Sequence, residues 1–182
     1  MSGSLFVISG PSGAGKGTLV QRLVERVPHT WVSISATTRA PRTGEIDGLH
    51  YRFMTPEEFE RIIEEGGFAE WANVHSHYYG TPTGPIIEHL EAGDNVLLEI
   101  DVQGGFQVRE KFPDAKLLFI APPNMEVLGQ RLRGRGTDSD EEIAKRLRNA
   151  RGELEASKDY DIVVVNDDLE EATDKLAEVL ES

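Results

Sequence analysis

Residues 10–18 read Gly-Pro-Ser-Gly-Ala-Gly-Lys-Gly-Thr, directly after the apolar run LFVIS. Gly10, Gly15 and Lys16 have the G-x-x-x-x-G-K spacing of a loop whose backbone N–H groups cradle phosphates while the lysine supplies charge. A strand-like run before the loop and a helical pattern after it would aim those N–H groups, and the positive end of the helix, at an anion. The intervening Pro11, Ser12, Gly13 and Ala14 belong to the same cradle, and the glycines let the backbone wrap closely. The pattern asks for Ser or Thr after the lysine, but Gly17 stands there, with Thr18 one place on. A direct hydroxyl ligand to Mg²⁺ is therefore not expected, and a metal here would lean on water and phosphate oxygens. The plainer alternative is a Gly-rich turn with a solvated lysine.

A second group of residues could also hold an anion. T-T-R-A-P-R places Arg39 and Arg42 three residues apart with Pro41 stiffening the loop, and a guanidinium clasps phosphate oxygens bidentately. Tyr51 and Tyr79 could add hydroxyls or could be core aromatics with a wet tip, Tyr78 being the better core candidate. Asp101 ends an apolar strand-like run, where ligands of open α/β sheets bind and where an aspartate organises Mg²⁺ waters; capping a helix is its alternative role. His50, His75 and His77 make no metal set, since 75 and 77 alternate on an expected strand without a third ligand. Trp31 and Trp71 are read as packing residues.

The bulk numbers limit what such groups could serve. A chain of 182 residues is long enough for one compact domain with appended mobile segments. With no cysteine there is no disulfide framework and no thiolate metal site. The absence of a leader-like segment, or of an apolar stretch approaching membrane-spanning length, makes a soluble cytoplasmic protein the expectation, with no membrane partner. A net charge of −13 argues against broad nucleic-acid binding, which needs a basic face to displace counterions. An anionic ligand must then meet a local basic cluster. Seven of the 19 Lys and Arg residues lie between 131 and 151, including Arg131, Arg135 and Arg146, although a solvated helix face would read the same way.

The elements that would position these groups follow from periodicity. Apolar runs at 5–9, 32–35, 95–100, 116–120 and 161–165 are bounded by turn residues, and several are continuous rather than alternating, as in strands buried on both faces of a parallel sheet. Helical stripes run between them: Leu19, Val20, Leu23, Val24 and Val27; then Met125, Leu128 and Leu132; then Leu176, Ala177 and Leu180. Thr55-Pro56-Glu57-Glu58 reads as an N-cap, a first-turn proline and a glutamate three places after the cap, with Gly66-Gly67 ending that helix. Strands alternating with helices imply an α/β fold with right-handed crossovers. Residues 35–82, rich in aromatics and short strand-like pieces, break the rhythm as an excursion from the sheet. Residues 134–141, GRGTDSDE, have the composition of a movable loop between two helices.

SATTRAPRTGEIDGLHY (35–51), FAEWANVHSHYYGTP (68–82), EIDVQG (99–104), RLRGRGTDSDEEIAKRL (131–147) and VVNDDL (164–169) together resemble guanylate kinase, in order and over nearly the whole chain. The resemblance implies a P-loop nucleoside monophosphate kinase fold: a five-stranded parallel core sheet flanked by helices, a mixed α/β GMP-binding insertion and a mobile lid. It divides the single domain into a core (1–34, 83–133 and 149–182), a GMP-binding region (35–82) and a lid (134–148). It implies reversible phosphoryl transfer from ATP to GMP with Mg²⁺, GMP and ATP being the partners and no protein partner being required. Position by position, Arg39, Arg42, Tyr51 and Tyr79 would hold the GMP phosphate, with Glu45 in the same site. Ser35, Glu70, Thr81 and Glu99 would meet guanine. Gly10 to Thr18 would hold ATP phosphates, Arg131, Arg135 and Arg146 would come from the lid and its borders, and Asn166 would sit by adenine. Asp101 is the expected metal residue, acting through water. Glu99 departs from an aspartate found in some members and reaches one methylene further.

The chemistry can be reached without the family. A nucleoside monophosphate has a second phosphate pKa of about 6 and is mostly ionised at neutral pH, so no general base is needed. The task is to bring two polyanions into line and neutralise charge on the transferring group, which suits fixed Lys, Arg and Mg²⁺. Guanine offers N1–H and N2–H₂ donors beside an O6 acceptor, the complement of a carboxylate and a hydroxyl. A kinase for AMP or a pyrimidine monophosphate, and a non-catalytic module that binds a peptide in the monophosphate site, are the competing readings.

Overall fold

The structure is a computed structural model that describes residues 3–182. β1 (Ser4–Ser9) leads through the Gly-rich loop into α1 (Lys16–Arg26), followed by β2 (Thr30–Val32). An excursion contains β3 (Ala36–Thr37), β4 (Arg52–Phe53), α2 (Pro56–Glu64), β5 (Phe68–Val74) and β6 (His77–Pro82). The chain returns through α3 (Thr83–Glu91), β7 (Asn95–Glu99), α4 (Val102–Lys111), β8 (Lys116–Ala121), α5 (Met125–Gly134) and α6 (Asp140–Ala156). A 3₁₀ turn, β9 (Ile162–Val165) and α7 (Leu169–Glu181) complete it.

The core sheet has the order β2-β7-β1-β8-β9 and every pairing is parallel. β1 and β8 are buried at all positions but their first, because helices cover both faces. Alternation sends Phe6, Ile8, Leu118 and Ile120 to the face closed by α1 and α7, and Leu5, Val7, Leu117 and Phe119 to the face that holds Val102, Val108 and Tyr160. The second sheet, ordered β4-β3-β6-β5, is mixed and has its own small core. There Phe59 of α2 stacks on Phe68 at 4.3 Å and on Tyr78 at 4.8 Å between ring centroids. The α2 start is as its sequence predicts, with Thr55 accepting from the Glu58 N–H and Pro56 in the first turn.

Several expectations shift. The strand expected at 32–35 lies at Thr30–Val32; it is an edge strand paired only with β7, half-buried throughout, so hydrophobic run length mislocated it. Val24 is 40% exposed and drops out of the α1 stripe, which buries Leu19, Val20 and Leu23. Trp71 is 38% exposed on edge strand β5 and is not core, while Trp31 stacks on His89 at 3.9 Å. His75 is not on a strand: with Ser76 it forms the β5–β6 hairpin turn at φ 51° and 70°, the left-handed backbone that closes a tight antiparallel connection. The irregular part of the segment expected as a lid is 135–139, and 140–148 belong to α6. No helix among the described residues is long and apolar enough to cross a membrane.

Candidate active site

The loop after β1 lines a cavity of about 500 Å³ together with the first turn of α1. Gly15 occupies the α1 N-cap position with φ 89°, and a Cβ there would stand 2.5 Å from Asn166 Nδ2. No side chain caps α1, so its first N–H groups are left for a ligand at the helix's positive end. Pro11, Ser12, Gly13, Gly15, Lys16, Gly17 and Thr18 line this cavity, and Arg131, Arg135 and Glu99 close it. Lys16 Nζ donates to Gly10 O at 2.6 Å, curled onto its own loop. The buried Ala14 does not line the cavity; its carbonyl accepts from Asn166 Nδ2 at 2.8 Å. Asn166 is thus a brace buried under the loop rather than a group in the cavity, and its carbonyl holds Arg131 Nη2 at 3.0 Å. Arg146 donates from Nη1 to Ser12 Oγ at 2.9 Å, and its Nε lies 3.2 Å from Asp138 Oδ2.

A second cavity, of about 280 Å³, lies between β5, β6 and the start of α4 and includes Ser35, Tyr51, Glu70, Tyr79, Asp101 and Gln103. Burial pushes the Glu70 carboxyl up to about 7, the Asp101 charge adds to the rise, and the Thr81 hydroxyl opposes it. Thr81, wholly buried, donates to Glu70 Oε1 at 3.4 Å. Arg39 is gripped bidentately by Glu45 at 2.9 and 3.0 Å and lies 5.3 Å from the Tyr51 ring centroid. Those hydrogen bonds from Arg39, with another from the Arg42 N–H at 2.7 Å, lower the Glu45 carboxyl to about 2. Arg39 is raised in turn, by Glu45 first and by Tyr79 as well. The Arg42 side chain is exposed.

Glu99 and Asp101 part company. β7 ends at Glu99, Ile100 still donates its N–H to Ile8 O at 3.3 Å, and Asp101, itself extended, caps α4 by accepting from Gly104 N–H at 2.9 Å. Glu99 therefore faces the loop cavity, its Oε1 lying 4.0 Å from where a Gly17 Cβ would be, while Asp101 lines the Glu70 cavity. Glu99, expected at the base, lines the loop cavity and is absent from the lining of the Glu70 cavity. A third cleft, of about 460 Å³, adjoins Asp101 and Gln103 and is walled by Arg148, Asn149 and Glu153 of α6. Burial raises the Glu153 carboxyl; Lys16 opposes the shift and Asp101 adds to it. Behind both sites the hydroxyls of Ser9 and Tyr160 lie 2.8 Å apart and reach the carbonyls of Ile100 at 2.8 Å and Val102 at 3.1 Å. Two protons serve those three contacts, and burial lifts Tyr160 to about 12. Sequence reasoning missed Gln103, Glu153 and Tyr160, because a polar residue on a helix face or one tyrosine among apolar neighbours carries no pattern.

A Gly-rich loop between β1 and α1, a five-stranded parallel sheet flanked by helices and an inserted second sheet define a P-loop nucleoside monophosphate kinase fold. The sequence profile of the family described as "Guanylate kinase" matches residues 2–182. Guanylate kinase of Synechocystis sp. is 53% identical over 180 residues, 99% of this chain and 94% of that protein. Guanylate kinase of Parasynechococcus marenigrum is 55% identical over 174 residues, 96% of each chain. The crystal structure of guanylate kinase from Anaplasma phagocytophilum superposes with a TM-score of 0.76 at 34% identity, covering 99% of this chain and 85% of that one. The chain belongs to the guanylate kinase family.

Proposed function

We propose that the enzyme transfers the γ-phosphoryl group of ATP reversibly to GMP, with ATP phosphates in the loop cavity and GMP in the Glu70 cavity. The observation that carries this is the pair of cavities at the end of β7, one lined by the Gly-rich loop with Glu99 and the other by the carboxylates of Glu70 and Asp101. Residues 35–82 then form the GMP-binding region, 134–148 the lid, and the remainder the core. Loop N–H groups and Lys16 neutralise ATP oxygens once Lys16 leaves the Gly10 carbonyl, and Arg131, Arg135 and Arg146 add charge from the lid side. Arg39, Arg42, Tyr51 and Tyr79 take the GMP phosphate. Glu45, an anion, does not bind phosphate itself but holds the Arg39 fork in place. Glu70 and Asp101 accept from guanine N1–H and N2–H₂, with Ser35 and Thr81 completing the base site. Asp101 is thereby assigned to the base and Glu99 to the metal side, the reverse of the sequence-based expectation.

The donor set suits Mg²⁺ held largely by water and nucleotide oxygens. No group of three or more His, Cys, Asp or Glu that could hold a metal ion occurs among the described residues, and Glu99 and Thr18, with Ser12 engaged by Arg146, are the side-chain oxygens lining the loop cavity. Held there through water by Glu99 and Thr18, Mg²⁺ would supply positive charge that offsets the charge developing on the transferring phosphoryl group. The attacking GMP oxygen is already ionised at neutral pH, so the protein's work is positioning and electrostatics, with no general base. Adenine would turn an N1 lone pair toward a carboxylate, which predicts strong preference for GMP over AMP. A coupled assay of ATP consumption decides the matter: turnover with GMP, little with AMP, and loss by orders of magnitude in Lys16→Met support the proposal. Equal turnover of AMP, or a Lys16→Met protein with near-normal rate, refutes it.

A further inference from the structure

β5 is the outer strand of the second sheet, and its free edge is met by α4. Trp71 pairs with Gly80 across the β5–β6 ladder, and both its backbone polar groups are met by one side chain on the opposite side. Gln107 Oε1 accepts from Trp71 N–H at 3.1 Å, and Gln107 Nε2 donates to Trp71 O at 3.2 Å. The primary amide thus supplies the rung that a neighbouring strand would have supplied. One turn further on, Lys111 Nζ donates to Gly66 O at 3.0 Å and also to Phe68 O.

Glu70 and Ala72 flank Trp71, and both line the base cavity. Because successive side chains on a strand alternate, fixing the Trp71 peptide fixes the direction in which Glu70 leaves the backbone. The same helix carries Asp101 as its N-cap, and its first turn lies bare against both carboxylates. A Cβ on Gly104 would come within 2.9 Å of Asp101 Oδ1 and 3.4 Å of Glu70 Oε1. α4 therefore sets both members of the pair, holding Asp101 directly and Glu70 through Gln107.

We propose that Gln107 is a positioning residue for base recognition, acting through the Trp71 backbone to hold Glu70 opposite Asp101. The proposal rests on the reading that Glu70 meets guanine, and the experiment separates the two. KM for GMP and for ATP, with kcat, is measured in wild type, Gln107→Leu, Glu70→Gln and the double variant. Gln107→Leu should raise KM for GMP about tenfold, with ATP KM within about twofold and kcat falling less than GMP KM rises. In the Glu70→Gln background the same change should add less than about twofold, because residues acting as one unit are not additive. Gln107→Glu keeps the shape and an acceptor for Trp71 N–H but turns a second oxygen toward Trp71 O. It should show the same GMP-specific loss, and it decides the matter if the leucine variant fails to fold. An unmoved GMP KM, an equal rise for ATP, or full additivity with Glu70→Gln overturns the proposal alone. Glu70→Gln leaving GMP KM unmoved overturns the Glu70 reading, and this proposal with it.

Discussion

Arg146 of α6 reaches Ser12 of the phosphate loop, its Nη1 donating to Ser12 Oγ at 2.9 Å while Asp138 faces its Nε at 3.2 Å. The segment 135–139 is thus spanned by an arginine that already touches the loop from the lid side. Incoming phosphate oxygens would compete with the Ser12 hydroxyl for that guanidinium, and Arg135 stands exposed at the mouth of the same cavity. Arg135→Ala should lower kcat more than it raises KM for GMP, because its charge is needed only once phosphates are in line. Hydrogen exchange across 134–141 should slow when both nucleotides are present. Equal protection with and without them would count against gating by this segment.

Gly17 is not held in a left-handed backbone, and a Cβ there would meet nothing closer than Glu99 Oε1 at 4.0 Å. Gly17→Ser should therefore fold normally and retain activity, with its hydroxyl placed beside Glu99 in the loop cavity. A titration of rate against Mg²⁺ checks this, and half-saturation at equal or lower Mg²⁺ is the expected result. Loss of activity or of thermal stability would show that the position needs glycine for a reason other than space.

Glu70 predicts a pH dependence. Its carboxyl is raised from 4.5 to about 7, so the folded protein holds this proton where the unfolded chain has lost it. Its contribution to stability is complete below 4.5 and is lost as pH rises through about 7. Glu70→Gln should accordingly melt higher than wild type at alkaline pH and equal to it in acid. Guanine's donors need the ionised form, so binding of guanosine, which has no phosphate to titrate, should weaken about tenfold per pH unit below 7 and level off above it. Calorimetry that finds the same slope in wild type and Glu70→Gln would contradict the assignment.

The two carboxylates of the Glu99–Asp101 pair should separate cleanly. Asp101→Asn should reduce kcat/KM for GMP by roughly 1–3 kcal/mol of transition-state binding and narrow the margin over AMP. Glu99→Gln should leave base selectivity alone and raise the Mg²⁺ requirement. Kinetics with both monophosphates across a Mg²⁺ series distinguish the two, and the opposite pattern would restore Glu99 to the base site.

That pair also shows what a sequence can and cannot disclose. Buried parallel strands such as β1 and β8 are legible because both faces are apolar, and the Gly10–Lys16 spacing is legible because a backbone cradle has few solutions. Residues 99 and 101 lie two apart, which on a continuing strand would put them on one face; the strand instead stops at Glu99, and Asp101 begins a helix. Periodicity has no sign for that change from strand to helix cap. β2 was misplaced for a related reason, since a three-residue edge strand at Thr30–Val32 has no buried face to imprint a pattern. Gln107 was invisible because its partner is backbone, and backbone is the same in every sequence.

Gly105 touches the Tyr160 hydroxyl so closely that a Cβ would stand 2.1 Å from it. Space at one position and an oxygen at the other are a single shared volume, filled once. Residue 105 cannot gain a side chain alone over evolutionary time: a methyl group there demands that the hydroxyl at 160 retreat or disappear. Related chains should therefore keep glycine at 105 wherever tyrosine stands at 160, and a chimera that sets a larger residue at 105 against Tyr160 should fail where each parent folds.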